Sequence, residues 1–465
     1  MTGSMPGRPA IDVSAAIERQ KLGRFLVGLV VISWIITFFD GFDSQAIAFA
    51  APYLSSQYHL DRVMMGNVFS IGLVGTLIGG FVFGYLGDRV GRRPAIILAT
   101  AAFGLFTLAF VLADGYASLL VLRLIDGVAL GGMLPLAWAL NIEYAPKRYR
   151  STIVTVIMIG YSVGIAVGGP TANWLIPRYG WQALFALGGL LSLAAALVLV
   201  FMLPESARFL VSKGFSGARV ARLVHRLTGE SVAANAHFVV EDEIGTAKDF
   251  RPRLLFRGEL GTITPLLWLA YIASSMAVFF LATWTPLVFE ALNFTRSQAA
   301  LAGSIAAAAG AVGGLLLMRF TDNLGAIAIT IIPLIAIPLL LIAAFADVGH
   351  ATFFALFALI ALFLVGGHFG LHSIAGIFYP SAYRGNGAGW AISVAKIGSI
   401  GGPFAAGLIL STSLPVRYIF AVLAACPAVF VVSIFIVGRI HSSMLRREAR
   451  TPAPAAAALS RAGGA

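Results

Sequence analysis

Two acids stand where acids are costly. The stretch FFDGFDSQAIAF (38–49) puts Asp40 and Asp43 among Phe, Ile and Ala. A charged side chain at mid-bilayer costs about 2.5–3.5 kcal/mol on insertion scales. Such residues mark proton relays, substrate paths or ion pairs. On a helix, positions three apart share a face, so both carboxyl groups can serve one proton-transfer site. A pair of hydrogen-bonded acids bracing a bend at Gly41 is the structural alternative. Three more charges interrupt apolar runs: Arg123 with Asp126 one turn later, and Lys396, which has no acid within four residues. Arg123 and Asp126 either neutralise each other or leave Arg123 for proton coupling or anion recognition. Lys396 fits a substrate carboxylate or an ion pair between helices. His368 and His372 share a face four residues apart. Two histidines without a third ligand make no zinc site. They fit either packing or contact with substrate hydroxyl and carboxyl groups. No metal or other cofactor is expected.

The surroundings of these residues are those of a polytopic membrane protein. The 465 residues are 59% hydrophobic and 11% charged, against about 25% charged in soluble domains. Mean hydropathy is +0.91. Twelve apolar runs approach the roughly 20 residues a membrane helix needs. They cover about 25–53, 63–87, 94–114, 117–142, 151–176, 181–203, 263–290, 297–319, 324–345, 350–375, 385–410 and 416–440. The expected fold is all-α: twelve transmembrane helices in two six-helix bundles, 25–203 and 263–440. A cytoplasmic segment (1–24) precedes them, a polar linker (204–262) separates them and a disordered tail (441–465) follows. The first apolar run is too long for a cleavable signal.

Lys and Arg set the orientation. Twenty-six lie on the side of the termini and four, Arg62, Arg178, Arg296 and Arg417, on the other. Both termini are therefore expected in the cytoplasm. The net charge of +12 then reports topology and implies no nucleic-acid partner. In the linker, Val220, Leu223, Val224 and Leu227 follow helical spacing among Arg219, Arg222 and Arg226. This predicts an amphipathic helix, lying on the inner leaflet or simply solvated. The single Cys426 permits no internal disulfide.

The halves echo one another. GDRVGRR (87–93) has a worn counterpart in TDNLGAI (321–327), and YRS…GGP (149–170) one in YRG…GGP (383–403). Parallel repeats of six helices suit a carrier whose halves rock about a central site. No HExxH, GxSxG or Walker loop is present, so neither an enzyme nor an ATP-driven pump is expected. A non-transporting receptor would not need Asp40, Arg123 and Lys396.

GYLGDRVGRRPA (84–95) resembles the loop 2–3 signature of the major facilitator superfamily. DGFDSQAIAFAAPYL, NIEYAPKRYRS (141–151) and FYPSAYRGNGAGWAISVAKIGSIGGP (378–403) resemble that superfamily's aromatic acid:proton symporters. The resemblance implies a monomeric carrier in the bacterial inner membrane. It implies import of benzoate-, hydroxybenzoate- or lignin-type acids with protons. An exporter, or a carrier of another organic anion such as a cyclic hydroxy acid, is the alternative. It implies proton coupling through Asp40, Asp43 and Arg123. Substrate would meet Lys396, His368, His372, Arg123 and aromatic rings among Trp284, Phe280, Trp138 and Trp390. A charge lock at the inner mouth would use Asp88, Arg89, Arg92, Glu143, Arg150, Asp322 and Arg384, with Asp88 paired to cations near spans 4, 5 and 11. Lys396 departs from the family's more usual arginine, and the two histidines stand where amides are expected.

Overall fold

The computed structural model describes residues 10–20, 23–215, 217–228, 236–240, 252–324, 326–379 and 384–450. Side chains at 10, 151, 237, 317–324, 326–329, 370–377, 384–385 and 444–450 lie outside that description. His372, Asp322 and Arg384 fall there, and so does the tail from 451 onward.

A strand β1 (Ala10–Asp12) runs into a short helix α1 (Val13–Arg19), whose first amides donate to Asp12 at 2.9 and 3.1 Å. Six long helices follow: α2 (Arg24–Tyr58), α3 (Arg62–Val90), α4 (Arg92–Ala109), α5 (Tyr116–Tyr144), α6 (Lys147–Tyr179) and α7 (Gln182–Met202). The linker forms α8 (Ala207–Ser212), α9 (Gly217–Thr228) and β2 (His237–Val239), which pairs in parallel with β1. The second half comprises α10 (Leu260–Ala291), α11 (Arg296–Leu324), α12 (Ala326–Phe345), α13 (His350–Phe378) and α14 (Arg384–Leu410). A last span is assembled from a short 3-10 turn, α15 (Ile419–Leu423) and α16 (Ala425–Arg450). Eleven segments among the described residues are long and apolar enough to cross a membrane, and α12 stands where the twelfth is expected.

The apolar face of α9 is spent on protein and not on lipid. Val220, Leu223 and Val224 share a core with Val13, Ala16 and Ile17 of α1 and Leu210 of α8. The sequence left the helix either on the inner leaflet or solvated; its apolar stripe packs against α1 and α8 at the end of the first bundle.

Among the described residues, the hydrogen bonds between the halves gather at one end. Helix α3 packs on α14, and α6 on α11. Ser70 donates to the Ile400 carbonyl at 2.8 Å, Arg62 donates to the Leu410 carbonyl, and the Gly169 amide donates to Ser304 Oγ at 3.1 Å. All lie at the end of the bundle remote from the termini. A Cβ on Gly169 would stand 2.5 Å from the Ala300 carbonyl oxygen, so only glycine permits this approach. Pro403 O lies 3.1 Å from where a Cβ on Gly66 would be. Both GGP motifs thus sit at contacts between halves. None of the described ion pairs crosses this seam.

Candidate functional site

Helix α2 carries the two acids and is fixed against α5 and α6. Thr37 Oγ1 donates to the Ile157 carbonyl at 2.9 Å, and Asn141 Nδ2 donates to Ser33 Oγ at 2.6 Å. A Cβ on Gly41 would overlap the Tyr161 carbonyl at 2.0 Å. Gly41 on α2, with Gly164 on α6, where a Cβ would lie 2.1 Å from the Phe38 carbonyl oxygen, is therefore where the two helices approach backbone to backbone.

Asp40 and Asp43, three residues apart, have different neighbours. Asp40 is buried, and the cation whose field reaches it is Lys396 of α14, in the other half. It also acts on the hydroxyl of Tyr161, which lies 3.2 Å from Ser44 Oγ. Asp43 points into the first bundle. Arg123 Nη1 is 3.9 Å from Asp43 Oδ2, and a Cβ on Gly188 of α7 would lie 3.5 Å from Asp43 Oδ1. Neither oxygen of Asp43 has a hydrogen-bond partner.

Asp126 is the closer partner of Arg123. Its Oδ2 accepts from Arg123 Nη1 at 3.0 Å, and its Oδ1 accepts from Thr107 Oγ1 of α4 at 3.0 Å. It is wholly buried. Room for the guanidinium comes from α3: a Cβ on Gly72 would stand 2.6 Å from Arg123 Nε. The first bundle so encloses one cation between two carboxyl groups.

In the second half, His368 Nδ1 lies 2.9 Å from Ser274 Oγ of α10, and Lys396 is partly buried on α14. Phe280 and Trp284 are buried at the closed seam. Trp284 is 1% exposed, donates to the Pro403 carbonyl at 3.0 Å and meets Phe69 edge-on at 5.4 Å. These two rings are occupied in packing here. Trp390, 42% exposed, stacks on Trp268 at 6.2 Å. Trp138 packs at the edge of the first bundle's core.

The charge cluster lies at the other end, and its pairing differs from expectation. Asp88 meets Arg92 at 2.7 Å, one turn along its own chain, and not a cation of span 5 or 11. Arg92 Nε also reaches Glu143 of α5 at 3.2 Å. Arg89 donates to the Tyr85 hydroxyl at 2.6 Å. Arg150 turns back to the Ala145 carbonyl at 3.1 Å and lies 3.9 Å from Glu18 of α1. Each described partner belongs to the first half or its N-terminal extension. The second-half members of the expected lock, Asp322 and Arg384, lie outside the described side chains.

Thr107, Tyr161, Ser44 and Ser274 were not singled out by the sequence. Nothing distinguishes one hydroxyl from many in an apolar run until packing brings it to a charge.

Two six-helix halves, sealed at one end and carrying buried charges on both sides of their junction, define a secondary carrier that works by alternating access. The model of the Major Facilitator Superfamily matches residues 33–375, and the chain belongs to that superfamily of membrane transporters. It is 32% identical over 441 residues to the 4-hydroxybenzoate transporter PcaK of Pseudomonas putida, covering 93% of this chain and 96% of that one. It is 31% identical to a gallate transporter of Pseudomonas putida, covering 89% and 92%. Among solved structures, the inward open conformation of the xylose transporter XylE from E. coli superposes with a TM-score of 0.70. The identity there is 16%, over 88% of this chain and 95% of that one.

Proposed function

We propose that this protein is a proton-coupled symporter importing aromatic carboxylic acids across the bacterial cytoplasmic membrane. It works as a monomer with both termini inside. The observation that carries the reading is the buried Asp40 of the first half within electrostatic reach of Lys396 in the second, without an ion pair formed between them. The names of the relatives, transporters of 4-hydroxybenzoate and gallate, support the substrate class.

The coupling follows from competition for one ammonium. While Asp40 is ionised, it and an incoming carboxylate compete for Lys396. A proton on Asp40 releases Lys396 to the substrate. The loaded site then holds a neutral acid and a neutralised anion, which lowers the cost of closing it away from water. One proton with one monoanion moves no net charge. A second proton would couple transport to the membrane potential by about 2.3 kcal/mol per 100 mV. His368, oriented by Ser274, is placed in the same half as Lys396 to select ring substituents.

The test uses proteoliposomes, 4-hydroxybenzoate and an imposed pH gradient. Asp40→Asn should abolish uphill uptake and keep exchange of internal for external substrate. Lys396→Ala should lose binding, and Lys396→Arg should keep part of it. Uphill uptake by Asp40→Asn, or unchanged binding by Lys396→Ala, would refute the mechanism.

A further inference from the structure

A second charged cavity lies outside the transport path. It has a volume of about 800 Å³ and is bounded by α4, the start of α8 and the helix α9. One wall is basic: Arg219, Arg222 and Arg226 of α9, with Arg93 at the start of α4. Positions 219, 222 and 226 follow helical spacing and form one stripe. The opposite wall is apolar, with Ile97, Leu98 and Ala101 of the third span.

Among the described residues the charge has no carboxylate to answer it. No carboxylate among the described residues lies within ion-pair distance of Arg219, Arg222 or Arg226. Glu205 is the acid that lines the cavity. Its carboxylate is already committed to the Arg92 and Arg93 amides at 2.9 and 3.2 Å. Arg93 gives one nitrogen to the Val200 carbonyl and keeps a buried Nε with no partner.

The shape selects among anions. Ala101 lies nine residues along α4 from Arg92, roughly 13 Å at 1.5 Å per residue. Leu98 on that wall is 53% exposed, on a helix that crosses the bilayer. The cavity thus begins among arginines at the membrane surface and descends along the hydrocarbon-facing side of a span. A free phosphate would fill only its mouth. An amphiphile with an anionic head and an acyl chain fills both parts.

We propose that this cavity binds one acidic phospholipid of the leaflet facing the termini. Its phosphate is held by the arginines of α9 and by Arg93, and its chain lies along Ile97, Leu98 and Ala101. Because α9 belongs to the linker and α4 to the first bundle, the lipid joins the two. The site is independent of the transported substrate.

Native mass spectrometry of the full-length protein in detergent tests this, with added phosphatidylglycerol, phosphatidylcholine or inorganic phosphate. The wild type should retain one phosphatidylglycerol that excess inorganic phosphate does not displace, and should not retain phosphatidylcholine equally. Each arginine near an anionic surface contributes roughly fivefold in affinity, so the triple variant Arg219→Gln/Arg222→Gln/Arg226→Gln should bind on the order of a hundredfold more weakly. The corresponding triple lysine variant should keep most of the binding, which separates lost charge from misfolding. Equal retention by the glutamine variant overturns the proposal. Equal retention of phosphatidylcholine makes the cavity a nonspecific apolar groove. Displacement by phosphate makes it a free-anion site.

Discussion

Arg123 stands between two carboxyl groups of different helices, 3.0 Å from Asp126 and 3.9 Å from Asp43. Asp126 holds its place through Thr107 as well, so in this conformation it has the stronger claim on the guanidinium. Removing one partner from a buried ion pair typically costs about 3–5 kcal/mol. Here a second carboxylate is within reach. Asp126→Asn should therefore cost less than that range, because Asp43 can take over. Adding Asp43→Asn should cost more than the two single changes together, with a coupling of about 0.5–3 kcal/mol. Thermal unfolding of the four proteins in detergent measures the cycle. Additive effects would mean that the two acids do not share Arg123.

The sealed end depends on glycine. Gly169→Val places carbon where Ala300 O and Ser304 Oγ now lie, 2.5 and 2.1 Å from the new Cβ. The variant should be unable to close that end. In a background lacking Cys426, a cysteine at the buried Ser70 should resist an impermeant maleimide, and it should react once Gly169→Val is added. Continued protection would show that the seam tolerates the extra bulk.

Asp88 is 71% exposed on its side chain, and its ion-pair partner among the described residues is Arg92. Such a surface pair contributes about 0–1 kcal/mol. Asp88→Asn should leave the melting temperature nearly unchanged and still slow transport, since the acid is required when the opposite state closes. Wild-type uptake by Asp88→Asn would remove Asp88 from the cycle.

Glu205 titrates outside the membrane. Burial raises its pKa above the ordinary 4.5, although the amides of Ser206, Arg93 and Arg92 pull the other way. The unfolded chain releases this proton first as pH rises. The contribution to stability is therefore present below 4.5 and declines as pH climbs through the folded value. Glu205→Gln should flatten that part of a melting-temperature profile. An unchanged slope would assign it to another group.

Orientation has a direct check. Ser212 is exposed on α8. A cysteine there should stay unlabelled by an impermeant reagent on intact cells and react in inverted vesicles. Rapid labelling from outside would invert the topology.

The spans were legible because the bilayer demands length and apolarity, which sequence records directly. Helix α1 and the β1–β2 pair were not, being too short to carry a period. Asp40, Arg123 and Lys396 stood out as charges in apolar runs. Their partners did not. Three residues along a helix is a rotation of 300°, so Asp40 and Asp43 differ by about 60° in direction. That suffices to set one towards Lys396 and the other towards Arg123. Among 34 phenylalanines and 7 tryptophans, no ring could be assigned until Trp284 was found sealed against Pro403. The sequence showed two echoes, and packing gives one of them a meaning: each GGP motif marks where one half touches the other.

The two ends of the carrier answer to different physics. One is joined by backbone approach at Gly169, Gly66 and Pro403, by neutral hydrogen bonds and by the Arg296 guanidinium over the Tyr53 ring at 4.5 Å. The other gathers its carboxylates and arginines in water. Dissolved salt screens exposed charges within about 8 Å at physiological strength and hardly touches packed backbone. Ionic strength on the terminus side therefore acts as a one-sided brake, loosening closure at the charged mouth while leaving the glycine seam as tight as before.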